Sequence, residues 1–525
     1  PPLLVYPPML RTLVPPLRIF GFDLLVAIGL LRWGLHYQRR EVQLLLEARG
    51  IEISEGEISA LGTEFLLRFY LLHRSRTNRI RHLLASGPGQ VFHADGTMDQ
   101  GSEVVFTVME GLTGIVLDSF LLPHEGRAEV AGALRAVKER FGVPHGLVRD
   151  FATNVRDAMD EVFPGVPQGG CHVHFVRVLG SKLFDGSYGP FRNQVLDTRA
   201  LARLLDLGRR VAADAAGGLL ERAVNAWISC EIAYLEEPRQ RPSRYPFELP
   251  YLECVSRALR VEKRVRRVVR ALGARDVSLR HLRDLDDLLG KALLPAVGRS
   301  YPKLAKAEEW YGQARDALRL SRASLSASEP PAWRPTREAR AAYLEALARI
   351  EGESVLLGED YRGIAGIIRR VSGAHVEELF AEVRGKDGKE LPFRRENNLQ
   401  ESCHRWSRMN IRRRTGRGKT AREMALYGPL LAVFSNLFNE EYVEGVLGDV
   451  GVLARELQAF PQVEVEALRE RMRGGVRGRA PSMEASEWEE RSEELVGILE
   501  GSGEVAGAAL QGWLKKVQGE ALTED

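Results

Sequence analysis

The pattern of hydrophobic and polar positions predicts an α/β segment between Val91 and Arg177. Apolar, β-branched runs bounded by glycine and polar turns predict strands, and apolar residues at helical spacing predict helices. The predicted order is three strands (91–97, 104–109, 115–122), a helix (130–141), a strand (147–150), a helix (155–163) and a strand-like piece (171–176). Three successive strands imply antiparallel hairpins, and strand–helix–strand implies a right-handed parallel crossover.

Two aspartates stand where predicted strands end. Asp95 closes the first run and Asp150 closes the fourth. Neighbouring strand ends can bring both carboxylates to one edge of a sheet, where their charges repel unless something neutralises them. A hard cation such as Mg²⁺, which prefers oxygen ligands, is the usual solution. Lone aspartates at strand ends are otherwise most often turn formers.

Outside this segment the pattern predicts helices. Between about 196 and 380 the strand signals stop and helical periods follow one another. One of these helices, 251–272, carries seven cations, which suit either a DNA-backbone surface or a solvated helix face: Arg257, Arg260, Lys263, Arg264, Arg266, Arg267 and Arg270. Near the N-terminus, the helix 41–49, Gly50 and the Ser54–Glu57 capping box predict a helix-turn-helix or a plain helical hairpin. A basic run suited to phosphates follows it: Arg68, Arg74, Arg76, Arg79 and Arg81.

A third acid lies far along the chain, in Glu396-Asn397-Asn398-Leu399-Gln400-Glu401. Asn398 is a candidate cap of the helix that follows, so Glu401 is either a capping-box residue or a functional acid. Basic residues follow on this predicted helix: Arg405, Arg408, Arg412, Arg413 and Arg414. Arg405, Arg408 and Arg412 recur on the helix face of Glu401, which favours contact with a phosphate strand.

These residues together resemble the RNase H-like catalytic core of DDE transposases, in particular those of prokaryotic insertion sequences. The Asn-Asn-x-x-Glu motif, with its following arginines and Gly416, carries much of the resemblance. Residue by residue, it implies a triad of Asp95, Asp150 and Glu401, with Glu396 as the rival third acid. It implies two Mg²⁺ (or Mn²⁺) ions per active site. The N-terminal helix pair is similar to the DNA-binding modules of many transposases.

Cys171 and His174 resemble the Cys-x-x-His signature of Mutator-like transposases, whose core is interrupted by a helical insertion. That resemblance implies a supporting role for both residues at the active site. A buried cysteine beside a satisfied histidine is the alternative. Related transposases also stack an inserted aromatic on a displaced base, and Trp333 is the candidate here.

Charge, cysteine content and apolar stretches limit the kinds of protein that this sequence can encode. The net charge of +3 excludes a general polycation, so any nucleic-acid surface must come from local clustering. Four scattered cysteines favour a reducing, intracellular setting. The apolar stretch 24–35 is too short to span a bilayer and contains Arg32. We therefore expect no membrane association, and a cytoplasmic protein at the prokaryotic nucleoid.

The predicted fold is an RNase H-like mixed-sheet α/β core interrupted by a large all-α insertion, with an N-terminal helix-turn-helix-like domain. The expected segments are an arm (1–20), the DNA-binding domain (21–86), the core (87–190 and 391–460), the insertion (191–390) and a linker with a helical tail (461–525).

The predicted function is a DNA transposase that binds the terminal repeats of its element, cleaves there and joins the 3′-hydroxyls to target DNA. Double-stranded DNA and a second copy of the chain, in a homodimer or higher oligomer, are the expected partners. The alternatives are a domesticated, non-catalytic DNA-binding protein on the same fold and a metal-dependent nuclease without joining activity.

Overall fold

A computed structural model describes residue 14 and residues 19–98, 102–214, 219–241, 244–272, 280–320 and 334–477. The chain divides into two compact units. Unit 1 contains the residues up to Gln168 and those from Val383 onward, and unit 2 contains Gly169–Glu382. The chain is therefore a mixed α/β protein in which unit 2 interrupts unit 1 along the sequence.

Unit 1 is built around a five-stranded mixed sheet with the order β3-β2-β1-β4-β5. Its strands are β1 (Val91–Thr97), β2 (Val104–Glu110), β3 (Val116–Leu122), β4 (Gly146–Arg149) and β5 (Gln168–Gly170), whose last two residues fall in unit 2. β1 pairs antiparallel with β2 and β2 antiparallel with β3, whereas β1 pairs parallel with β4. The predicted hairpins and the predicted parallel crossover are both confirmed.

Two helices of the crossover region follow the predicted pattern. They are α5 (Arg127–Phe141), between β3 and β4, and α6 (Thr153–Val162), between β4 and β5. Their apolar faces join the main hydrophobic core together with the sheet, because residues such as Val130, Val137 and Met159 are buried. Among the described residues before the sheet are four α-helices, α1 (Phe22–Gly29), α2 (Arg39–Glu47), α3 (Glu55–Ser75) and α4 (Thr77–Ser86), and a π-helical segment, Leu30–Gly34.

The predicted capping box opens α3, since Ser54 Oγ accepts from the Glu57 N–H at 3.1 Å and Glu57 accepts from the Ser54 N–H at 3.2 Å. Gly50 has the positive φ of 75° expected of a residue that ends a helix. From Glu64 to Tyr70, however, every residue of α3 is buried. The N-terminal helices therefore share the core of unit 1, and the predicted boundary at residue 86 does not divide compact units.

The second part of unit 1 is helical. Its helices are α17 (Asn398–Thr415), α18 (Ala421–Phe434), α19 (Glu440–Tyr442), α20 (Leu453–Gln458) and α21 (Gln462–Arg477). An aromatic cluster joins α3 to α17 and α18: Phe434 lies 5.7 Å from the rings of Phe65 and Phe69 and 6.0 Å from that of Trp406. The helix that carries Glu401 is thus held by the same core as the N-terminal helices.

A buried polar network reinforces this core. Asp118 of β3 is fully buried, accepts from the Tyr70 hydroxyl at 2.9 Å and pairs with Arg140 of α5. His73 of α3 contacts the Tyr442 hydroxyl at 3.1 Å, and burial lowers its pKa to about 4. The network connects α3, β3 and α5. Replacing one of its buried polar residues would leave the partner of that residue without a hydrogen bond.

Unit 2 is helical in its described part. After β5 it contains α7 (His172–Phe184), α8 (Tyr188–Asp197), α9 (Ala200–Ala213), α10 (Leu219–Gln240), α11 (Pro250–Leu272), α12 (Arg280–Asp287), α13 (Leu294–Val297), α14 (Tyr301–Ala317), α15 (Thr336–Leu357) and α16 (Glu359–Leu379). The expectation of helices here is confirmed. The compact unit ends at Glu382, so its borders differ from the predicted 191–390.

None of the described helices combines the length and the apolar character needed to cross a membrane. The apolar stretch near residue 24 forms α1, which packs against α3 instead.

We expect Phe434→Ala to destabilise unit 1 by roughly 3–5 kcal/mol, because a fully buried ring at the centre of the aromatic cluster is replaced by a cavity. Phe438→Ala is the matched control, since Phe438 touches the same cluster but is 59% exposed. Chemical unfolding of both variants checks the difference, and equal losses would contradict the assignment of Phe434 to the centre of the core.

Candidate functional site

The pairing of β1 with β4 relates Asp95 to Asp150. The parallel register matches Val91 with Gly146, Phe92 with Leu147 and His93 with Val148, a constant offset of 55 residues. The same offset takes Asp95 to Asp150 (95 + 55 = 150). Residues paired across neighbouring strands point to the same face of the sheet, and such strands lie about 4.8 Å apart. Continued by two residues beyond the observed pairs, this register would bring the two aspartates next to each other.

The prediction that Asp95 ends its strand is wrong. Asp95 lies inside β1, opposite Thr107 of β2, and the strand continues to Thr97. The reason is that Gly96 and Thr97 still pair with β2. Asp150 does follow β4 directly, as predicted, and its Oδ1 accepts from the Ala152 N–H at 3.0 Å, which leads the chain into α6.

Glu125 is a further acid at this edge that the sequence reasoning missed. It lies in the loop between β3 and α5, and its Oε1 occupies the place beside Gly96: a Cβ at Gly96 would lie 2.2 Å from that oxygen. Burial and the neighbouring charge of Asp150 raise the pKa of Glu125 to about 7. Because β3 runs parallel to β1, the two strands end at the same edge of the sheet. An acid just after β3 could therefore have been predicted to lie at the edge of Asp95.

The start of α17 is anchored on the sheet. The Gln400 side chain donates to the carbonyl oxygens of His93 at 2.9 Å and Thr107 at 2.8 Å. Asn397 Oδ1 contacts His93 Nδ1 at 3.1 Å, and burial lowers the pKa of His93 to about 4, so this imidazole is neutral. The helix that carries Glu401 therefore begins against β1 and β2. Its contact on β1 is at His93, which precedes Asp95 by two residues.

The cap of α17 differs from the prediction. Asn397, not Asn398, is the N-cap residue, and it makes no side-chain cap hydrogen bond. The third helical position is then Gln400, whose side chain is committed to the sheet. The capping-box alternative for Glu401 is therefore wrong, because Glu401 comes one residue too late.

The face of α17 that carries Glu401 also meets β1. Arg408 lies seven residues, or two turns, after Glu401 on the same face. It donates to Thr97 Oγ1 at 2.7 Å and to the Met98 carbonyl oxygen at 3.2 Å. Because Thr97 and Asp95 lie on the same face of β1, this contact directs the Glu401 face of α17 toward the end of β1 that carries Asp95.

The other predicted arginines of α17 differ in their surroundings. Arg405 and Arg412 are exposed. Arg413 lies 3.6 Å from Glu41. Arg414 stacks on Trp33 with its guanidinium carbon 3.4 Å from the ring centre, and burial lowers its pKa to about 9. Arg414 therefore packs within unit 1, whereas Arg405 and Arg412 remain accessible.

The N-terminal arginines divide in the same way. Arg68 is buried, pairs with Glu64 at 2.6 Å and donates to the Leu457 and Phe460 carbonyl oxygens. Arg76 pairs with Glu456. The remaining arginines of this run, Arg74, Arg79 and Arg81, are exposed. Arg68 and Arg76 thus stabilise unit 1. Of the other three, Arg74 lies 3.9 Å from Asp118 and Arg79 donates to the Val446 carbonyl oxygen at 3.1 Å.

Cys171 and His174 belong to unit 2. The prediction that they lie in a strand is wrong, because β5 ends at Gly170 and α7 begins at His172. Cys171 is the buried N-cap residue of α7 and His174 lies in its first turn. The apolar positions continue at helical spacing through Phe175 and Leu179, which explains the helix. Trp333 lies outside the described residues.

The donor chemistry of the site fits a hard divalent cation. Asp95, Glu125, Asp150 and Glu401 offer carboxylate oxygens alone, which Mg²⁺ and Mn²⁺ prefer. Burial, and then the charge of Asp150, raise the pKa of Glu125. Among the described residues, no three His, Cys, Asp or Glu side chains already stand at metal-binding separation. Glu396 is half-buried before α17, and burial raises its pKa.

Comparison with known proteins gives no family. No protein-family model matches the chain, and no curated protein matches it.

Glu125→Gln should stabilise the protein at pH 8 by about 1–2 kcal/mol, after allowance for solvent screening. The folded-state pKa is raised, so the wild-type protein loses stability as the pH rises from about 4.5 through about 7. The variant lacks this loss, and the two proteins should converge below about pH 4.5. Thermal unfolding across this range checks it.

Glu139→Gln, on the exposed side of α5, is the control and should show no such pH dependence. An unchanged gap between Glu125→Gln and the wild-type protein at all pH values would contradict the electrostatic account of Glu125.

Proposed function

We propose that unit 1 is an RNase H-like catalytic core and that the chain is a DNA transposase acting by metal-dependent phosphoryl transfer. One observation carries the proposal: the parallel register of β1 and β4, which would pair Asp95 with Asp150 if it continued two residues beyond His93 and Val148. The element order supports it as well, since three antiparallel strands, a crossover helix and a parallel strand are what the resemblance implies.

The position of α17 supports Glu401 as the third acid. Gln400 and Arg408 contact β1 on either side of Asp95 in the strand, at His93 and at Thr97. Glu401 lies between these two contacts along the helix and on the face of Arg408. No described contact brings Glu396 to β1 in a comparable way. Glu125 is a fourth carboxylate available at the same edge.

In the proposed reaction the carboxylates of Asp95, Asp150 and Glu401 would hold the divalent cations, with Glu125 as a further carboxyl group beside them. Bound Mg²⁺ or Mn²⁺ supplies activation of the attacking water or 3′-hydroxyl and stabilisation of the leaving 3′ oxygen. The residues of this chain form no covalent intermediate with DNA. Their part is to orient the scissile phosphate and to fix the direction of attack.

The arginines of α17 are suited to the DNA strand. Arg405 and Arg412 are exposed, and Arg408 lies at the end of β1. A guanidinium offers paired N–H donors to phosphate oxygens and keeps its charge at every relevant pH. We propose that these three side chains bind the backbone of the cleaved strand. The exposed Arg74, Arg79 and Arg81 would add backbone contacts from the N-terminal helices.

The proposed partners are double-stranded DNA, as terminal repeats and as target, and a second copy of the chain. Joining two ends requires two active sites or the sequential use of one. A metal-dependent nuclease without joining activity and a non-catalytic DNA-binding protein are the alternatives that experiment must separate from transposition.

Asp95→Asn should lower metal-dependent cleavage of DNA at least about 100-fold and leave DNA binding within a few fold of the wild-type value. The amide keeps the shape of the side chain but removes a ligand charge, and it also removes repulsion from Asp150. Cleavage and gel-shift assays on the same duplex, carrying the ends of the element, separate the two effects. Asp157→Asn, at an acid of α6 whose side chain is 39% exposed, is the control.

Three results discriminate the alternatives. Strand joining by the wild-type protein supports a transposase, whereas cleavage without joining identifies a nuclease. Binding without any cleavage in Mg²⁺ or Mn²⁺ identifies a non-catalytic protein. Cleavage that persists in EDTA, or that Asp95→Asn leaves intact, would contradict the proposed site.

A further inference from the structure

Helix α11 of unit 2 presents a one-sided arrangement of charge. Its apolar residues Val255, Val261 and Val265 are fully buried and define the face that packs in unit 2. Seven cations lie between Arg257 and Arg270 of the same helix. The structure separates these cations into two groups with different surroundings.

Three of the seven are used within unit 2. Arg257 donates to Glu253 Oε1 at 2.7 Å and to the Tyr234 carbonyl oxygen at 2.7 Å. Arg264 pairs with Glu231, and Arg266 pairs with Glu262. These residues flank the apolar face, and their charges are compensated by acids of α10 and α11.

The other four form what we call the α11 stripe: Arg260, Lys263, Arg267 and Arg270. Their spacing of three, four and three residues keeps them within a narrow sector of the helix. At 100° per residue, this sector lies about 180° from the apolar face. All four side chains are exposed, and none of them forms an ion pair with a described residue.

We propose that the α11 stripe binds the phosphate backbone of double-stranded DNA. The stripe spans about 15 Å of helix axis, and duplex DNA carries one phosphate charge per about 1.7 Å of its axis. Four uncompensated cations in a row match such a linear array of charge. The proposal rests on the proposed function for the choice of DNA as the polyanion, and on the structure for the location of the surface.

The stripe is suited to positioning DNA rather than to reading its sequence. Its four residues are long and flexible cations, and the stripe contains no amide or hydroxyl group to discriminate base edges. Binding at the stripe should therefore be independent of sequence and strongly dependent on salt. It would increase the affinity of the protein for DNA without taking part in cleavage or joining.

The test is a variant of the full chain in which all four residues are replaced by glutamine: Arg260→Gln, Lys263→Gln, Arg267→Gln and Arg270→Gln. Binding to a random-sequence duplex is measured by fluorescence anisotropy in EDTA over a series of salt concentrations. We expect weaker binding and a slope of log K against log salt that is shallower by about 3–4, since each phosphate contact contributes about 0.9.

The matched control removes the same charge elsewhere in unit 2. Lys291, Lys303, Arg340 and Arg369 each pair with an acid, and their replacement by glutamine also takes the net charge from +3 to −1 (3 − 4 = −1). We expect the control to leave the salt slope within about one unit of the wild-type slope. Circular dichroism and thermal unfolding verify that both variants fold.

Three outcomes would overturn the proposal. The stripe variant could keep the wild-type salt slope, or both variants could lose the same amount of duplex affinity. The stripe variant could also lose affinity for single-stranded RNA while its affinity for duplex DNA is unchanged. The measurement in EDTA is independent of cleavage. If the wild-type protein binds duplex DNA but does not cleave it in Mg²⁺, the proposed function is contradicted. The stripe proposal is then still decided by the salt slopes of the two variants.

Discussion

The carboxamide of Gln400 is the contact on which the arrangement of unit 1 depends most. It bridges the carbonyl oxygens of His93 and Thr107, in two neighbouring strands, and it lies 307 residues from the first of them. The two parts of unit 1 are separated along the chain by all of unit 2, so this fully buried bridge fixes one to the other. An unpaired carbonyl in such a place would be costly, which makes the register of α17 on the sheet specific.

Several acidic residues lie at the edge of the sheet where Gln400 contacts β1 and β2. Glu125 approaches Gly96 closely, and burial together with the charge of Asp150 raises the pKa of Glu125 to about 7. The surrounding histidines behave differently: burial lowers the pKa of His93 to about 4 and that of His404 to about 3, so both stay neutral. Burial thus favours the uncharged form of Glu125, His93 and His404 alike.

The arginines of the chain serve two purposes that composition cannot separate. Arg68, Arg140 and Arg414 are enclosed by acids, carbonyl oxygens or an aromatic ring and stabilise unit 1. Arg405 and Arg412 of unit 1, and Arg260 and Arg267 of unit 2, keep their guanidinium groups at the surface. A buried arginine is needed for packing, whereas an exposed row without acidic partners has no evident role in stability. The surface groups are therefore the ones suited to nucleic acid.

The sequence by itself determined strands β1–β4, the crossover helices, the capping box at Ser54 and the helical character of unit 2, because each depends on local periodicity or local hydrogen bonds. Only the tertiary structure decided that Asp95 lies inside its strand, that Cys171 and His174 open a helix, and that α1–α4 share the core of the sheet. It also revealed Glu125 and separated the enclosed arginines from the exposed ones. These features depend on contacts between residues far apart in the chain, and a local pattern carries no information about which partner a side chain meets.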